Sequence, residues 1–313
     1  MNIVKYLSSL LSVDVDRLNK FISTSPYRYK VYEIAKRSDK GSRVIAQPSK
    51  ELKQLQRLVL SKYLADLPIH ESCMAYRKGK SIKDNAIVHV RSRFLLKMDF
   101  SDFFPSIVPK DLICHIKKHR GVDVSEEDEQ VLARLLFYKK NRNAPLRLSV
   151  GAPTSPFISN TLMFEFDTKI AMLCKEKGVL YTRYADDISF STNTKGLLFE
   201  FEADIRKALD ECEYPDIKIN NAKTVFLSRK QNMHITGLVL SNDGKISIGR
   251  KKKRYIKSLV YRYISGDIDE ELKGYLAGYL SFCRSVEPEF VAMLTRKYSK
   301  KVIDSVEGRV QDP

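Results

Sequence analysis

The stretch LYTRYADDISFST, residues 180–192, constrains the fold more than any other. Leu180, Tyr181, Thr182 and Tyr184 on one side, and Ile188, Phe190 and Thr192 on the other, are the β-branched, aromatic and apolar types that suit strands. Between them stand Asp186 and Asp187, adjacent and strand-averse. The pattern predicts a strand–turn–strand with two carboxylates at its tip. Neighbouring carboxylates in a segment otherwise fit for burial repel each other and resist desolvation. Either they decorate an ordinary turn, or they meet a cation.

The surrounding sequence supplies a frame. FLLKMDF, residues 94–100, reads as a short buried strand with Asp99 at its end. TSPFISNTLMFEFDTKIAMLCKEKG predicts one helix, with Ser155 as cap, Pro156 in the first turn and Gly178 at the C′ position. Its buried stripe is Ile158, Leu162, Phe166, Ile170 and Leu173. A further helix over about 198–211 precedes DIKINNAKTVFLS. The order strand, helix, strand pair, helix, strand between residues 94 and 228 suits a split βαβ, ferredoxin-like sheet with helices on one face. Before it, Pro48-Ser49 introduces a helix carrying Leu52, Leu55, Val59 and Tyr63 at helical spacing. In VSEEDEQVLARLLFYKK, Ser125 can cap, and the acids at 126–129 oppose the positive helix end, a better account than a metal site. NMHITGLVLSNDGKISIG predicts a hairpin turning at Asn242-Asp243-Gly244. From Arg250 onward the chain is basic and helical, with aromatics among the charges.

Charge narrows the class of partner. The 313 residues hold 55 Lys and Arg against 38 Asp and Glu, a formal net charge of +17. Such an excess points to a polyanion, nucleic acid before membrane; the alternative is a basic but uncommitted surface. The five cysteines are scattered and form no CxxC pair, against a disulfide framework or a zinc site and for a reducing cytoplasm. The N-terminus reads as an amphipathic helix rather than a signal peptide, and no run approaches the ~18 apolar residues of a membrane span. A cytoplasmic protein without membrane partners is the expectation.

The three aspartates then acquire a chemical reading. Asp99 at one strand end and Asp186-Asp187 at a hairpin tip could meet at one edge of the sheet. Phosphoryl and nucleotidyl transfer needs fixed carboxylates that hold two Mg²⁺ ions about 3.5–4 Å apart, and carboxylate oxygen suits this hard cation.

Several boxes in order carry a family resemblance. YADD at 184–187 resembles the YxDD box of reverse transcriptases. DFSDFFPSI from Asp99 looks like their first catalytic box, GAPTSPFISN from Gly151 their GxPxSP box, and RVIAQPSKELKQLQ from Arg43 the fingers segment of bacterial members. NAIVH at 85–89 fits the NAxxH element of retron reverse transcriptases, and ITGLVLS from Ile235 resembles their VTG element. The resemblance covers nearly the whole chain.

It implies an α+β right-hand polymerase: fingers with N-terminal helices over 1–93, a ferredoxin-like palm sheet with fingers-connected insertions over 94–240, and a basic helical thumb over 241–313. Asp99, Asp186 and Asp187 would bind two Mg²⁺, with the backbone carbonyl of Phe100 as a further ligand. Phe104 would be the steric gate against a ribose 2′-OH, although core packing is an equal account of neighbouring Phe103. Arg43 and Lys223 would meet the triphosphate of an incoming dNTP. Asn85, His89, Thr236 and Gly237 would seat RNA, and Lys251, Lys252 and Lys253 would grip its phosphates. One departure is Val150, where the family often has a Gln that contacts the nucleotide sugar; valine lacks that hydrogen bond.

The retron likeness further implies reverse transcription of a dedicated structured noncoding RNA, primed from a guanosine 2′-OH. The product would be a branched RNA–DNA molecule (msDNA), used in bacterial anti-phage defence with a separate effector protein and host RNase H. The alternatives are a group II intron-like or abortive-infection reverse transcriptase, and, from another class, a non-catalytic RNA-binding or effector-inhibiting subunit.

Overall fold

The computed structural model describes residues 2–35, 41–121 and 123–308. The N-terminal helices α1 (Ile3–Leu11) and α2 (Val15–Thr24) lead into an antiparallel hairpin, β1 (Tyr29–Ala35) and β2 (Ser42–Pro48). Helix α3 (Lys50–Val59) starts where Ser49 Oγ accepts from Leu52 N, and continues through a π turn to Leu64. Helix α4 (Ile82–His89) opens in a reciprocal Ser81–Asp84 capping box. Then come β3 (Phe94–Ser101), the short α5 (Phe103–Ser106), α6 (Pro109–Arg120) and α7 (Glu126–Leu136). Ser125 caps α7 as its sequence predicts, and within the acidic first turn Asp128 is buried and accepts from Ile3 N at 2.8 Å. One core therefore joins α1–α3 to α6, α7 and the following helix.

The helix expected over 155–177 is two helices, α8 (Ser155–Leu162) and α9 (Phe164–Lys177), broken at Met163. The cap is Thr154 rather than Ser155, and it makes no side-chain cap bond. Tertiary hydrogen bonds give the reason for the break. On α8, Asn160 donates to Ala75 O at 2.9 Å and Thr161 to Pro68 O at 2.8 Å, while α9 must aim Asp167 at the sheet. Gly178 ends α9 in the left-handed region, as its position implied.

The palm sheet adds β4 (Leu180–Tyr184) and β5 (Asp187–Thr192), and, after α10 (Leu197–Asp210), β6 (Lys218–Ile219) and β7 (Val225–Ser228). β5 lies between β4 and β3, while β6 and β7 share the other side of β3; every pairing is antiparallel. β3 and β4 thus run in the same direction with β5 inserted, the split βαβ arrangement. Phe166 and Ile170 of α9 and Phe201 and Ile205 of α10 share a core with Leu96, Met98 and Phe190 of the sheet.

A small sheet, β8 (His234–Ile235), β9 (Leu238–Leu240) and β10 (Ile246–Ser247), turns at the expected Asn-Asp-Gly. Four helices follow: α11 (Arg250–Ile264), α12 (Glu270–Val286), α13 (Pro288–Tyr298) and α14 (Lys300–Val306). They share a third core with β8–β10 and with Ala86 and Val90 from the end of α4.

Beneath the β4–β5 turn lies a buried ion pair. Arg183 and Asp167 are both fully buried; Nε–Oδ1 is 2.9 Å and Nη2–Oδ2 2.7 Å. Tyr181 Oη donates to the same carboxylate at 2.7 Å, and Arg183 Nη1 donates to Asn160 Oδ1 and Ala185 O, both at 3.2 Å. Removing one partner strands a charge in the core, whereas replacing both with apolar side chains does not. Asp167→Ala should cost about 3–5 kcal/mol of stability, and the Arg183→Met/Asp167→Leu double variant much less, as read from denaturant melts. Equal losses in the two variants would assign the cost to packing alone.

Candidate active site

The hairpin brings the three aspartates to one edge. Asp99 lies directly opposite Asp187 in the β3–β5 register, and Tyr184 pairs with Asp187 across a two-residue turn, Ala185-Asp186. Ala185 has φ 57°, and Asp186 is outside the positive-φ residues, the sign pattern of a type II′ hairpin turn. The tip is stitched down on both sides. Asp186 O accepts from Phe100 N at 3.0 Å, and Ala185 O accepts from Arg183. On the other flank, Asn220 N donates to Asp99 O at 2.7 Å, which sets the short turn carrying Lys223 beside β3. Lys223 Nζ then reaches Asp99 Oδ1 at 2.9 Å.

The electrostatics are those of crowded negative charge. Burial, and then the Asp99 carboxylate, raise the pKa of Asp186. Asp187 remains open to solvent on one side, yet desolvation, Asp186 and Asp99 push it up to about 6. Its hydrogen bond to Asp99 raises the pKa of Lys223. Hard oxygen donors whose mutual repulsion a divalent cation would offset fit a Mg²⁺ site. The set is convergent rather than closed: among the described residues, no three His, Cys, Asp or Glu groups already form a ligand cluster.

Other candidates surround this edge to different degrees. Phe100 is 2% exposed, its ring stacked on Phe103, so only its backbone faces the tip. Phe103 is core, whereas Phe104 is half-buried and meets it edge-on at 5.4 Å. Arg43, exposed on β2, is near enough to Asp186 to oppose the rise in its pKa. Tyr76 also stands near the tip: it is 57% exposed at φ 57°, and burial first, then Asp186, raise its hydroxyl pKa. It sits in the irregular segment before α4, where no periodicity marks it.

Gly151 has φ 125°, and a Cβ there would lie 3.0 Å from Ala46 O. The 150–154 loop therefore docks against β2 through backbone, with Ala46 N donating to Val150 O at 2.9 Å. That contact needs no particular side chain at Val150.

Two expectations are corrected. Asn85 and His89 are 2% and 0% exposed, so neither touches RNA directly. His89 bridges Ser191 Oγ (2.7 Å) and Thr182 Oγ1 (2.8 Å), and burial drives its pKa down to about 3, leaving it neutral. It is a bolt between α4 and the palm sheet. Lys253 is likewise committed: it pairs with Glu287 and lies over the Phe290 ring at 5.6 Å. Lys251 and Lys252 are exposed, and Lys252 Nζ approaches Gly237 O at 3.4 Å. Thr236, at φ 45°, donates to Ile82 O at 3.3 Å. The NAxxH and ITG elements thus adjoin each other, with only Gly237 of the four residues exposed.

Residues 34–240 match the family described as reverse transcriptase (RNA-dependent DNA polymerase). The chain is similar to the Retron Ec83 reverse transcriptase of Escherichia coli, 40% identical over 280 residues, covering 89% of each protein. It is also similar to the Retron Ec86 reverse transcriptase of E. coli, 29% identical over 97% of this chain and 93% of that one. The Retron Ec73 reverse transcriptase of the same species is 30% identical over 93% and 94%.

The raised pKa of Asp187 has a signed consequence. A carboxyl whose folded pKa lies above its unfolded value binds more protons when folded, so its contribution falls as pH rises from about 4 through about 6. Relative to Asp187→Asn, the metal-free protein should therefore lose melting temperature between pH 4 and pH 7. Added Mg²⁺ should restore it at pH 7 in the parent only. Parallel pH–melting curves for the two proteins would refute the crowding.

Proposed function

Since this chain belongs to the retron reverse transcriptases, and is an RNA-directed DNA polymerase, we propose that it copies a dedicated structured noncoding RNA into DNA. Synthesis starts from a guanosine 2′-OH of that RNA and leaves a branched RNA–DNA product. The observation that carries the polymerase chemistry is the alignment of Asp99 with Asp187 under the Asp186 tip, with Lys223 reaching across to Asp99.

In this reading Asp99, Asp186 and Asp187, with the carbonyl of Phe100, hold two Mg²⁺ ions. Two Mg²⁺ ions held by these residues would supply Lewis-acid chemistry, easing deprotonation of the attacking hydroxyl and offsetting charge on the leaving pyrophosphate. Lys223, paired with Asp99 in the free protein, turns to the incoming triphosphate and protonates or neutralises the pyrophosphate. Arg43 meets the triphosphate from the β1–β2 side, a role that guanidinium geometry suits. Phe104 excludes the 2′-OH of a ribonucleotide. Thr236 and Gly237 help to seat the RNA near Lys251 and Lys252, whose charges neutralise its phosphates. The product serves a bacterial anti-phage system with a separate effector protein, and host RNase H trims the RNA template.

Asp186→Asn and Asp187→Asn should each abolish primer extension while melting no lower than the parent; near-normal synthesis by either would sink the assignment. Phe104→Ala should raise incorporation of rNTPs relative to dNTPs on one template, and an unchanged ratio in folded protein would move the gate elsewhere. Sequencing the nucleic acid that copurifies with the chain, with mapping of its branch, tests the priming step. A DNA 5′ end without a 2′-linked ribonucleotide would reject that step and leave the polymerase intact.

A further inference from the structure

At the end of the palm sheet remote from the carboxylates lies an aromatic surface that the chemistry above does not use. Phe94 stands five positions before Asp99 on β3, about 17 Å of strand. There Phe199, in the first turn of α10, is 66% exposed, and its ring stacks on Phe226 of β7 with centroids 4.4 Å apart and planes 27° from parallel. A lone exposed aromatic is ordinary. This one borders a cavity of about 240 Å³ walled by Phe94, Leu198, Phe226 and Leu227, with Lys195 at its margin.

A second cavity of about 430 Å³ is lined by chain neighbours of two residues of the first, Arg93 next to Phe94 and Arg229 next to Ser228. It is lined by Arg91, Arg93 and Arg229 with one acid, Asp243. Arg229 serves the fold, donating to the carbonyls of Val90, Ser92, Leu240 and Ser241. Asp243 accepts from Ser241 Oγ. Arg91 and Arg93 are exposed, and among the described residues their guanidinium groups make no hydrogen bond or ion pair.

We propose that these two cavities together bind a single-stranded stretch of nucleic acid, one base stacking on Phe199 and phosphates of the same strand meeting Arg91 and Arg93. An aromatic platform supplies the sequence-tolerant term and unpaired cations at its edge supply the backbone term. Charge selects nucleic acid over a protein occupant: the free side chains at the margin are cationic, on a chain of net charge +17. A duplex, whose bases already stack on one another, offers no face to Phe199. The site is separate from the catalytic edge and does not depend on which RNA the enzyme copies.

The test uses the full chain with a primer–template hairpin filling the catalytic cleft, titrated with a fluorescein-labelled 12-nucleotide oligouridine. Phe199→Ala should weaken its binding about tenfold and Phe199→Tyr should retain it. Arg91→Gln with Arg93→Gln should flatten the slope of log K against log salt by about 1.4. Photo-crosslinking with 5-iodouridine in the same oligonucleotide should mark Phe199 or Phe226, and extension of the hairpin should be unchanged. The proposal is overturned if affinity and salt slope are unaltered in variants that melt like the parent, or if the adducts fall only elsewhere. Unaltered binding covers the case in which a protein partner occupies the slot.

Discussion

The Arg183–Asp167 ion pair is the interaction on which the palm depends. Taking two charges out of water costs several kcal/mol per ion, and only good geometry with further hydrogen bonds offsets it. Here Tyr181, Asn160 and the carbonyl of Ala185 complete the pair. Backbone bonds from Met74 N to Arg183 O and from Arg183 N to Ser72 O join a third segment. Helix α9, the turn and the 72–75 loop are thereby locked into one arrangement. The paired charges below the turn do what the unpaired charges on it cannot, since Asp186 and Asp187 repel each other and Asp99. A rigid base under a repulsive tip keeps the donors near one another before any cation arrives.

The cations around that tip form a graded series. Lys223 touches Asp99, Arg43 acts on Asp186 from the β1–β2 hairpin, and Lys97 of β3 acts on Asp187. Only the first is in contact, so the site is not neutralised by its own chain. Burial first, and then the Asp186 and Asp99 carboxylates, raise the pKa of Asp187 by more than Lys97 and Lys223 lower it.

Local chemistry made much of this legible in the sequence. The β-branched flanks of Asp186-Asp187, the apolar run ending at Asp99 and the Asn-Asp-Gly turn each encode their element within a few residues, and each formed. What could not be read depended on partners far along the chain. The break at Met163 arises from the demands of Ala75, Pro68 and Arg183 on α8 and α9. The burial of His89 depends on Ser191 and Thr182, about a hundred residues away. Lys253 is indistinguishable in sequence from its neighbours until Glu287 claims it. Motif membership alone did not reveal that a polar residue was a packing element.

The two-residue loop between Tyr184 and Asp187 carries a consequence for how this site can diverge. Side chains alternate faces along a strand, so a one-residue insertion or deletion in the turn would send Asp187 to the opposite face of β5 and break its register with Asp99. The hairpin can therefore change by substitution but not by length without losing the pairing of Asp99 with Asp187. The box should drift in identity and never in reading distance.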